Sequence, residues 1–117
     1  MNKINFLYFI FASLFAIASC NAQQATPDYS KSKLIDVRTP EEFAVGSVVG
    51  AINIPVDDIE SRLSEINTND QIVVFCRSGS RSARATSILQ KHGYKHVING
   101  GTWQQVNAVV NSKKSKK

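Results

Sequence analysis

Short apolar runs alternate with helix-forming segments from Leu34 to the C-terminal region of this chain. Strands that alternate with helices in one small domain form a mostly parallel sheet with helices on both of its faces. The 117 residues are enough for one such domain and no more. The sequence therefore predicts an α/β fold built on a small, mostly parallel sheet, and its four predicted strands lie at residues 34–37, 51–55, 72–75 and 96–99.

Capping residues and apolar spacing place the helices between these strands. The stretch TPEE contains a capping box, with Thr39 as the N-cap, Pro40 at the first helical position and Glu42 three residues after the cap. Gly46 is expected to end this helix. The other predicted helices begin at residue 57, span residues 82–92 and span about residues 102–110.

A cysteine and a basic, glycine-containing loop follow the most uniformly apolar run. The run at 72–75 leads to Cys-Arg-Ser-Gly-Ser-Arg at 76–81 and then to a predicted helix. Functional sites of parallel sheets form at the carboxyl ends of the strands. Gly79 permits a positive φ, so that backbone amides and the helix N-terminus can surround an anion site that contains Cys76. These groups favour the thiolate of Cys76, which is a strong nucleophile.

The polar side chains of this loop suit an anionic substrate. Arg77 and Arg81 supply positive charge that attracts an anion. Ser78 and Ser80 supply hydroxyl groups that can donate to the thiolate or to the bound anion. Together these residues predict a nucleophile in an anion-binding loop.

Other roles for Cys76 were weighed against this one. A lone cysteine after an apolar run is most often a small core residue, but a core cysteine requires no basic glycine-containing loop after it. A metal site is disfavoured because there is no Cys-x-x-Cys pair, and His92 and His96 have no cysteine partners at ligand spacing. A dithiol site is disfavoured because Cys20, the only other cysteine in the sequence, belongs to the N-terminal signal region. No metal and no cofactor are expected.

The N-terminal segment has the features of an export signal. The apolar run at 6–18 is shorter than the ~20 residues that cross a bilayer, but it fits the central region of a secretory signal. The residues Ile-Ala-Ser-Cys that follow resemble a bacterial lipoprotein cleavage box, in which Cys20 becomes the lipid-carrying N-terminus. The alternative is ordinary cleavage nearby, for instance after Ala22. We therefore expect an exported protein of a bacterial cell envelope, anchored to the membrane through lipid on Cys20.

The formal net charge of +5 comes from the ends of the chain. Residues 20–112 contain nine Lys or Arg and nine Asp or Glu, so this segment is neutral. Four lysines lie within residues 113–117. Such a short basic end is expected to be a solvated tail, and no nucleic-acid partner is expected.

Four segments, in this order, resemble a single-domain rhodanese, which is a sulfurtransferase-like domain. The resemblance implies the α/β fold of that family and a cysteine that takes up a sulfane sulfur as a persulfide and passes it to an acceptor. By motif, Cys76 matches the sulfur-carrying residue, residues 77–81 match the active loop, and Asp36 and Arg38 match a mainly architectural pair. The matching segments are LIDVRTPEEF at 34–43, GAINIP at 50–55, VVFCRSGSRSARA at 73–85 and GYKHVINGGTW at 93–103.

Three features depart from the usual pattern of that family. Residues 46–50 are Gly-Ser-Val-Val-Gly, where the family usually has Gly-His-Ile-Pro-Gly. The strand and helix that usually precede the first segment have no counterpart, so one sheet edge is expected to be unpaired. Trp103 follows the Gly-Gly pair more closely than is usual.

The rival enzymatic interpretation is a cysteine-dependent phosphatase, because this fold resembles that of a group of dual-specificity phosphatases. Those enzymes place five residues between cysteine and arginine, whereas four residues separate Cys76 from Arg81. A phosphoryl group with three oxygens needs the wider ring, and the tighter loop suits one sulfur atom. Asp36 is the nearest candidate for a proton donor, and its expected role is an ion pair with Arg38.

The resemblance and the loop together predict a thiosulfate sulfurtransferase-like enzyme. Its expected partners are a small anionic sulfur donor, such as thiosulfate, and a thiol or cyanide acceptor. A sulfur-carrier or partner-binding module without turnover is the alternative from another functional class. The chain is expected to be a monomer, with a signal peptide at 1–19, a flexible tether at 20–33, a rhodanese-like domain at 34–111 and a basic disordered tail at 112–117.

Overall fold

A four-stranded parallel sheet with helices on both faces confirms the predicted α/β fold. The computed structural model describes residues 27–116, so the predictions for the signal peptide and Cys20 lie outside the described residues. The strand order is β2-β1-β3-β4. The strands are β1 (Lys33–Asp36), β2 (Ile52–Asn53), β3 (Ile72–Cys76) and β4 (Val97–Thr102), and the α-helices are α1 (Pro40–Val45), α2 (Ser80–Lys91) and α3 (Trp103–Lys114).

Strand β3 is buried along its whole length because both of its faces are covered. On one face, Val74 and Cys76 belong to a buried apolar cluster that includes Leu89 of α2. On the other face, Phe75 belongs to a second cluster that includes Val106 of α3. The uniformly apolar run at 72–75 therefore corresponds to a central strand, as its composition predicted.

Helix α1 begins as predicted, but the next helical segment differs. Both hydrogen bonds of the capping box at the start of α1 are present. The α-helix predicted from residue 57 is instead two short 3-10 helices, Val56–Asp58 and Glu60–Glu65. The hydroxyl of Tyr94 lies 2.9 Å from the carbonyl oxygens of both Leu63 and Ile66. Tyr94, from a distant segment, thus takes up the carbonyl groups at the end of the second 3-10 helix. This contact favours a short 3-10 helix over an α-helix that continues.

The ends of the domain are more ordered than the sequence predicted. Tyr29 lies within the predicted tether, yet only 8% of its surface is exposed because it packs against Leu34 and Val48. Helix α3 ends at Lys114, four residues beyond the predicted end near residue 110. Lysines in the last turn of a helix interact favourably with its C-terminal dipole, which explains the longer helix.

Two of the three departures from the usual family pattern are visible in the structure, at the turn of residues 46–50 and at one edge of the sheet. The amide of Ala51 donates to the carbonyl of Val48, and Gly50 supplies the positive φ of 89° that this turn requires. Strand β4 lies at one side of the sheet, and within residues 27–116 no further strand pairs with its outer edge.

In the described part of the chain, none of the helices has the length and apolar composition of a membrane-spanning segment.

Gly100 marks an irregularity in β4. Val74 pairs with Asn99 and Phe75 with Gly101, so Gly100 is an extra residue in the ladder. A Cβ at this position would lie 2.6 Å from Val106 Cγ2 and 2.9 Å from Val73 Cγ1. The backbone of β4 can approach α3 this closely only because Gly100 has no side chain.

Gly100→Ala is expected to lower the free energy of unfolding by about 1–3 kcal/mol, because the new methyl group overpacks this contact. Denaturant titration would measure the loss. Gly46→Ala is the matched control, because Gly46 has an extended φ of 167° and open space around its Cα. A loss for Gly100→Ala no larger than for Gly46→Ala would contradict the close packing.

Candidate active site

Cys76 is the last residue of β3 and lies where the sheet meets the start of α2. It is fully buried. Gly79 has a left-handed φ of 94° and serves as the N-cap of α2, which turns the chain from strand to helix within a few residues. The turn thereby brings Sγ to the N-terminus of α2, where helical N–H groups have no intrahelical partner.

Three groups of this loop surround Sγ of Cys76. The amide of Gly79 donates to Sγ over 3.0 Å, and the amide of Ser82 donates over 3.4 Å. The hydroxyl oxygen of Ser82 lies 3.5 Å from Sγ. Two backbone N–H groups and one hydroxyl therefore converge on the sulfur, which is an arrangement suited to an anionic sulfur.

Opposing influences act on the ionisation of Cys76. Burial is the largest single influence, and it raises the pKa of the Cys76 thiol. The hydrogen bond with the Ser82 hydroxyl and those from the amides of Ser82, Ser78 and Gly79 each lower it. The hydrogen bonds together outweigh burial, so the pKa of Cys76 lies below its ordinary value of 9.0. The site thus favours the thiolate relative to a free cysteine.

The hydroxyl beside the sulfur is that of Ser82, whereas the sequence suggested the hydroxyls of Ser78 and Ser80 as donors to the thiolate or to a bound anion. The side chains of Ser78 and Ser80 are exposed, and none of the hydrogen bonds to Sγ comes from their hydroxyl groups. Ser82 is buried in the first turn of α2. Its place in the first turn of α2 was the available signal, although Ser80 shares that turn without contacting Sγ.

Arg81 is held by Glu42, a residue that the sequence pattern indicated only as a helix-capping residue. Its guanidinium donates to both carboxylate oxygens of Glu42, over 2.7 Å and 3.0 Å. Glu42 also accepts from the amide of Thr39, as the capping box requires. Arg81, followed by the Thr39 amide, lowers the pKa of Glu42 to about 2. This ion pair fastens the loop to α1, while Arg77 is exposed beside it.

Glu42→Gln is expected to reduce the loss of stability that the protein suffers when the pH falls from neutral to acidic. The pKa of Glu42 is lower in the folded protein than its ordinary value of 4.5, so its ion pair stabilises the fold above pH 4.5. That contribution disappears as the pH falls towards about 2. The stability difference between wild type and Glu42→Gln should therefore be largest near neutral pH and should shrink on acidification.

Denaturant titrations at several pH values would measure this difference. Glu41→Gln is the control, because it removes a carboxylate from the same helical turn without breaking an ion pair to the loop. An equal pH dependence for Glu41→Gln and Glu42→Gln would show that the Arg81 contact is unimportant.

Asp36 and Arg38 form a buried ion pair next to the loop. Arg38 Nη2 lies 2.7 Å from Asp36 Oδ2, and Arg38 Nε donates to the same carboxylate. Ser47 also donates to Asp36, over 2.7 Å. The guanidinium carbon of Arg38 lies 5.3 Å from the ring centroid of Trp103. These contacts give Trp103 a defined place and make the pair a structural link among α1, β1 and α3.

A shallow cleft of about 210 Å³ lies beside the loop. Cys76 is fully buried and does not line this cleft. A larger cavity of about 410 Å³ lies elsewhere, between the start of β1 and the end of α3. Within residues 27–116, no cluster of His, Cys, Asp and Glu has the size of a metal site. The cleft is lined by Arg38, Glu42, Val45, Arg77, Trp103 and Gln104.

Comparison with known proteins places this arrangement in one family. The family described as "Rhodanese-like domain" matches residues 18–105. Thiosulfate sulfurtransferase PspE of Escherichia coli is 39% identical over 77 residues, which are 64% of this chain and 74% of that protein. A solved structure described as a rhodanese with anions, also from Escherichia coli, is 38% identical with a TM-score of 0.60. The alignment covers 63% of this chain and 89% of that one.

Two other relatives are considerably longer than the matched segment. Both are from Bacillus subtilis and 41% identical to this chain, which spans 56% of the length of one and 36% of the other. The match to the second covers 56% of this chain, and that protein is named a putative sulfur carrier protein. Sulfur transfer and sulfur carriage therefore both occur among the names of similar proteins.

Proposed function

This chain belongs to the family of rhodanese-like domains, and from that membership we propose that it is a sulfurtransferase whose sulfur-carrying residue is Cys76. The observation that carries the proposal is the pair of N–H donors aimed at Sγ, the amides of Gly79 and Ser82, with the Ser82 hydroxyl beside them at 3.5 Å. Donors that stabilise a thiolate also stabilise the terminal anion of a persulfide. The proposed donor is thiosulfate or a similar anion, and the acceptor is a thiol or cyanide.

The proposed reaction has two displacement steps. The Cys76 thiolate attacks the outer sulfur of thiosulfate, a new S–S bond forms, and sulfite leaves with the electron pair of the bond that breaks. A thiolate or cyanide ion then attacks the outer sulfur of the persulfide, and the Cys76 thiolate leaves. No external oxidant or reductant is needed, and the kinetics are ping-pong. Arg77 is exposed beside the cleft and attracts the anionic donor, whereas Arg81 shapes the loop through Glu42.

Intact mass after incubation with thiosulfate tests the first step. The wild-type chain should gain the mass of one sulfur atom, and a reducing thiol should remove it. Cys76→Ser should show no gain, while Cys20→Ser should behave like wild type. The proposal fails if wild type gains no sulfur, or if Cys76→Ser gains as much as wild type.

A sulfur carrier without appreciable turnover is the second candidate. It is supported by the Bacillus subtilis relative that is named a putative sulfur carrier protein. Rapid formation of the persulfide, combined with slow transfer of its sulfur to cyanide to form thiocyanate, would support carriage over catalysis. A phosphatase is less well supported, because only four residues separate Cys76 from Arg81. In addition, Arg81 is already paired with Glu42.

We also propose that the protein is exported to a bacterial cell envelope and lipid-anchored through Cys20. The support is the apolar run at 6–18 followed by Ile-Ala-Ser-Cys. Cells grown with a fatty-acid probe should label the wild-type protein and not Cys20→Ala. Unchanged labelling of Cys20→Ala would reject lipidation at this residue.

A further inference from the structure

The buried hydroxyl of Ser82 has more potential acceptors than protons. Its oxygen lies 2.7 Å from Asn99 Oδ1, 3.0 Å from the carbonyl of Gly79 and 3.5 Å from Cys76 Sγ. A hydroxyl group can donate one proton. The two oxygen atoms can only accept, whereas Sγ donates as a thiol and accepts as a thiolate. The protonation state of Cys76 therefore decides where the Ser82 proton is needed.

The irregularity in β4 sets the position of Asn99. Gly100 is the extra residue in the ladder, and Asn99 directly precedes it. The amide of Gly101 donates to Asn99 Oδ1 over 3.0 Å. A backbone N–H group can only donate, so the atom facing it must be the oxygen of the Asn99 side chain. Asn99 thus presents a fixed acceptor to the Ser82 hydroxyl.

We propose that Asn99 is a positioning residue that competes with Cys76 Sγ for the Ser82 proton and so controls how readily the thiol ionises. The inference rests on the proposed role of Cys76 as the sulfur-carrying nucleophile. In the thiol state, Cys76 donates to Ser82 and Ser82 donates to Asn99, so every group is satisfied. When Cys76 ionises, its proton leaves for solvent, and Ser82 must turn from Asn99 towards Sγ. Asn99 therefore stabilises the thiol and restrains the nucleophile.

The charged groups around this site do not change when Asn99 is replaced by alanine. They are Arg77 and Arg81 of the loop and α2, Glu42 of α1 and the Asp36–Arg38 pair at the end of β1. The segment of β4 that contains Asn99 carries no charged residue through Thr102. A change in ionisation on Asn99→Ala would thus report the hydrogen bond and not a new charge.

Titration of the thiolate by its ultraviolet absorbance tests the inference in the full chain, purified in detergent. Cys20→Ala is the background, so that Cys76 is the single thiol. Asn99→Ala should move the titration midpoint to lower pH, because the nearer of the two competing oxygen acceptors is gone. The remaining one, the Gly79 carbonyl, already accepts from the amide of Ala83. Below the midpoint, alkylation of Cys76 by iodoacetamide should become about two- to tenfold faster, as the loss of one hydrogen bond implies. Asn99→Leu should move the midpoint in the same direction, because it also removes the acceptor and adds no charge.

The Ser82→Ala background separates positioning from a merely structural role. Without the Ser82 hydroxyl, Asn99→Ala should leave the midpoint unchanged. The inference is overturned if Asn99→Ala leaves or raises the midpoint when Ser82 is present, or if the same shift persists in Ser82→Ala. Asn99→Leu keeps most of the volume of the side chain, so it provides the test if Asn99→Ala fails to fold. The titration needs no sulfur donor, so a failure of sulfur uptake would reject the proposed function separately.

Discussion

Arg38→Ala is expected to lower the free energy of unfolding by about 3–5 kcal/mol, because it leaves a buried carboxylate without its charged partner. Asp36 is fully buried and Arg38 is 5% exposed. Three side-chain N–H···O contacts join them, at 2.7–3.1 Å. After the substitution, Asp36 would retain the Ser47 hydroxyl and one backbone amide. These two donors cannot replace a positive charge inside the protein.

The same guanidinium joins other parts of the structure, so its loss affects more than one contact. It donates to the carbonyl of Gly46 over 2.6 Å and lies over the ring of Trp103. The loss expected is a large part of the ~5–15 kcal/mol that stabilises a typical domain. Arg38→Ala is therefore expected to remain folded with a much smaller free energy of unfolding.

Denaturant titration of three variants would separate the causes of this loss. Arg84→Ala is the control, because Arg84 pairs with Asp57 at the surface and an exposed pair contributes about 1 kcal/mol or less. The double variant Asp36→Asn with Arg38→Ala should recover part of the stability, because it removes the stranded charge. No recovery would show that packing on Trp103, and not the charge, explains the effect of Arg38→Ala.

The sequence was sufficient for the parts of this fold that depend on local signals. The capping box at Thr39, the uniformly apolar β3 and the glycine at position 79 are all properties of a few consecutive residues. They predicted α1, the buried strand and the turn at Cys76. The predicted ends of α2 and α3 were only approximate, because helix ends depend on contacts made by the last turn.

The contacts that define the candidate site join residues far apart in the chain. Glu42 and Arg81 are 39 positions apart, and Ser82 and Asn99 are 17 positions apart. No spacing rule connects such residues before the order of the strands is known. Glu42 was recognised as a capping residue, and the structure adds that the same carboxylate also holds the loop. The 3-10 segment before β3 was missed for a similar reason, since Tyr94 reaches it from beyond α2.

Gly79→Ala is expected to slow sulfur transfer by about tenfold or more while the protein remains folded. Gly79 has a φ of 94°, and a residue with a Cβ pays about 1–2 kcal/mol to adopt a left-handed conformation. Space does not limit the substitution, because the added Cβ would meet only Gly101 Cα, at 3.8 Å. The backbone can relieve the strain by rotating the peptide that donates to Sγ over 3.0 Å. Relief of strain therefore removes an amide from the sulfur.

The rate of thiocyanate formation from thiosulfate and cyanide would measure the effect of Gly79→Ala, and the ultraviolet absorbance of the thiolate would show its cause. Ser78→Ala is the matched control, because Ser78 is the neighbouring loop residue and its exposed hydroxyl makes no contact with Sγ. Equal rates for the two variants would mean that the Gly79 amide does not stabilise the reacting sulfur. A slower rate with an unchanged thiolate titration would instead place the effect of Gly79 after ionisation, in the persulfide, whose outer sulfur we propose is stabilised by the same amide.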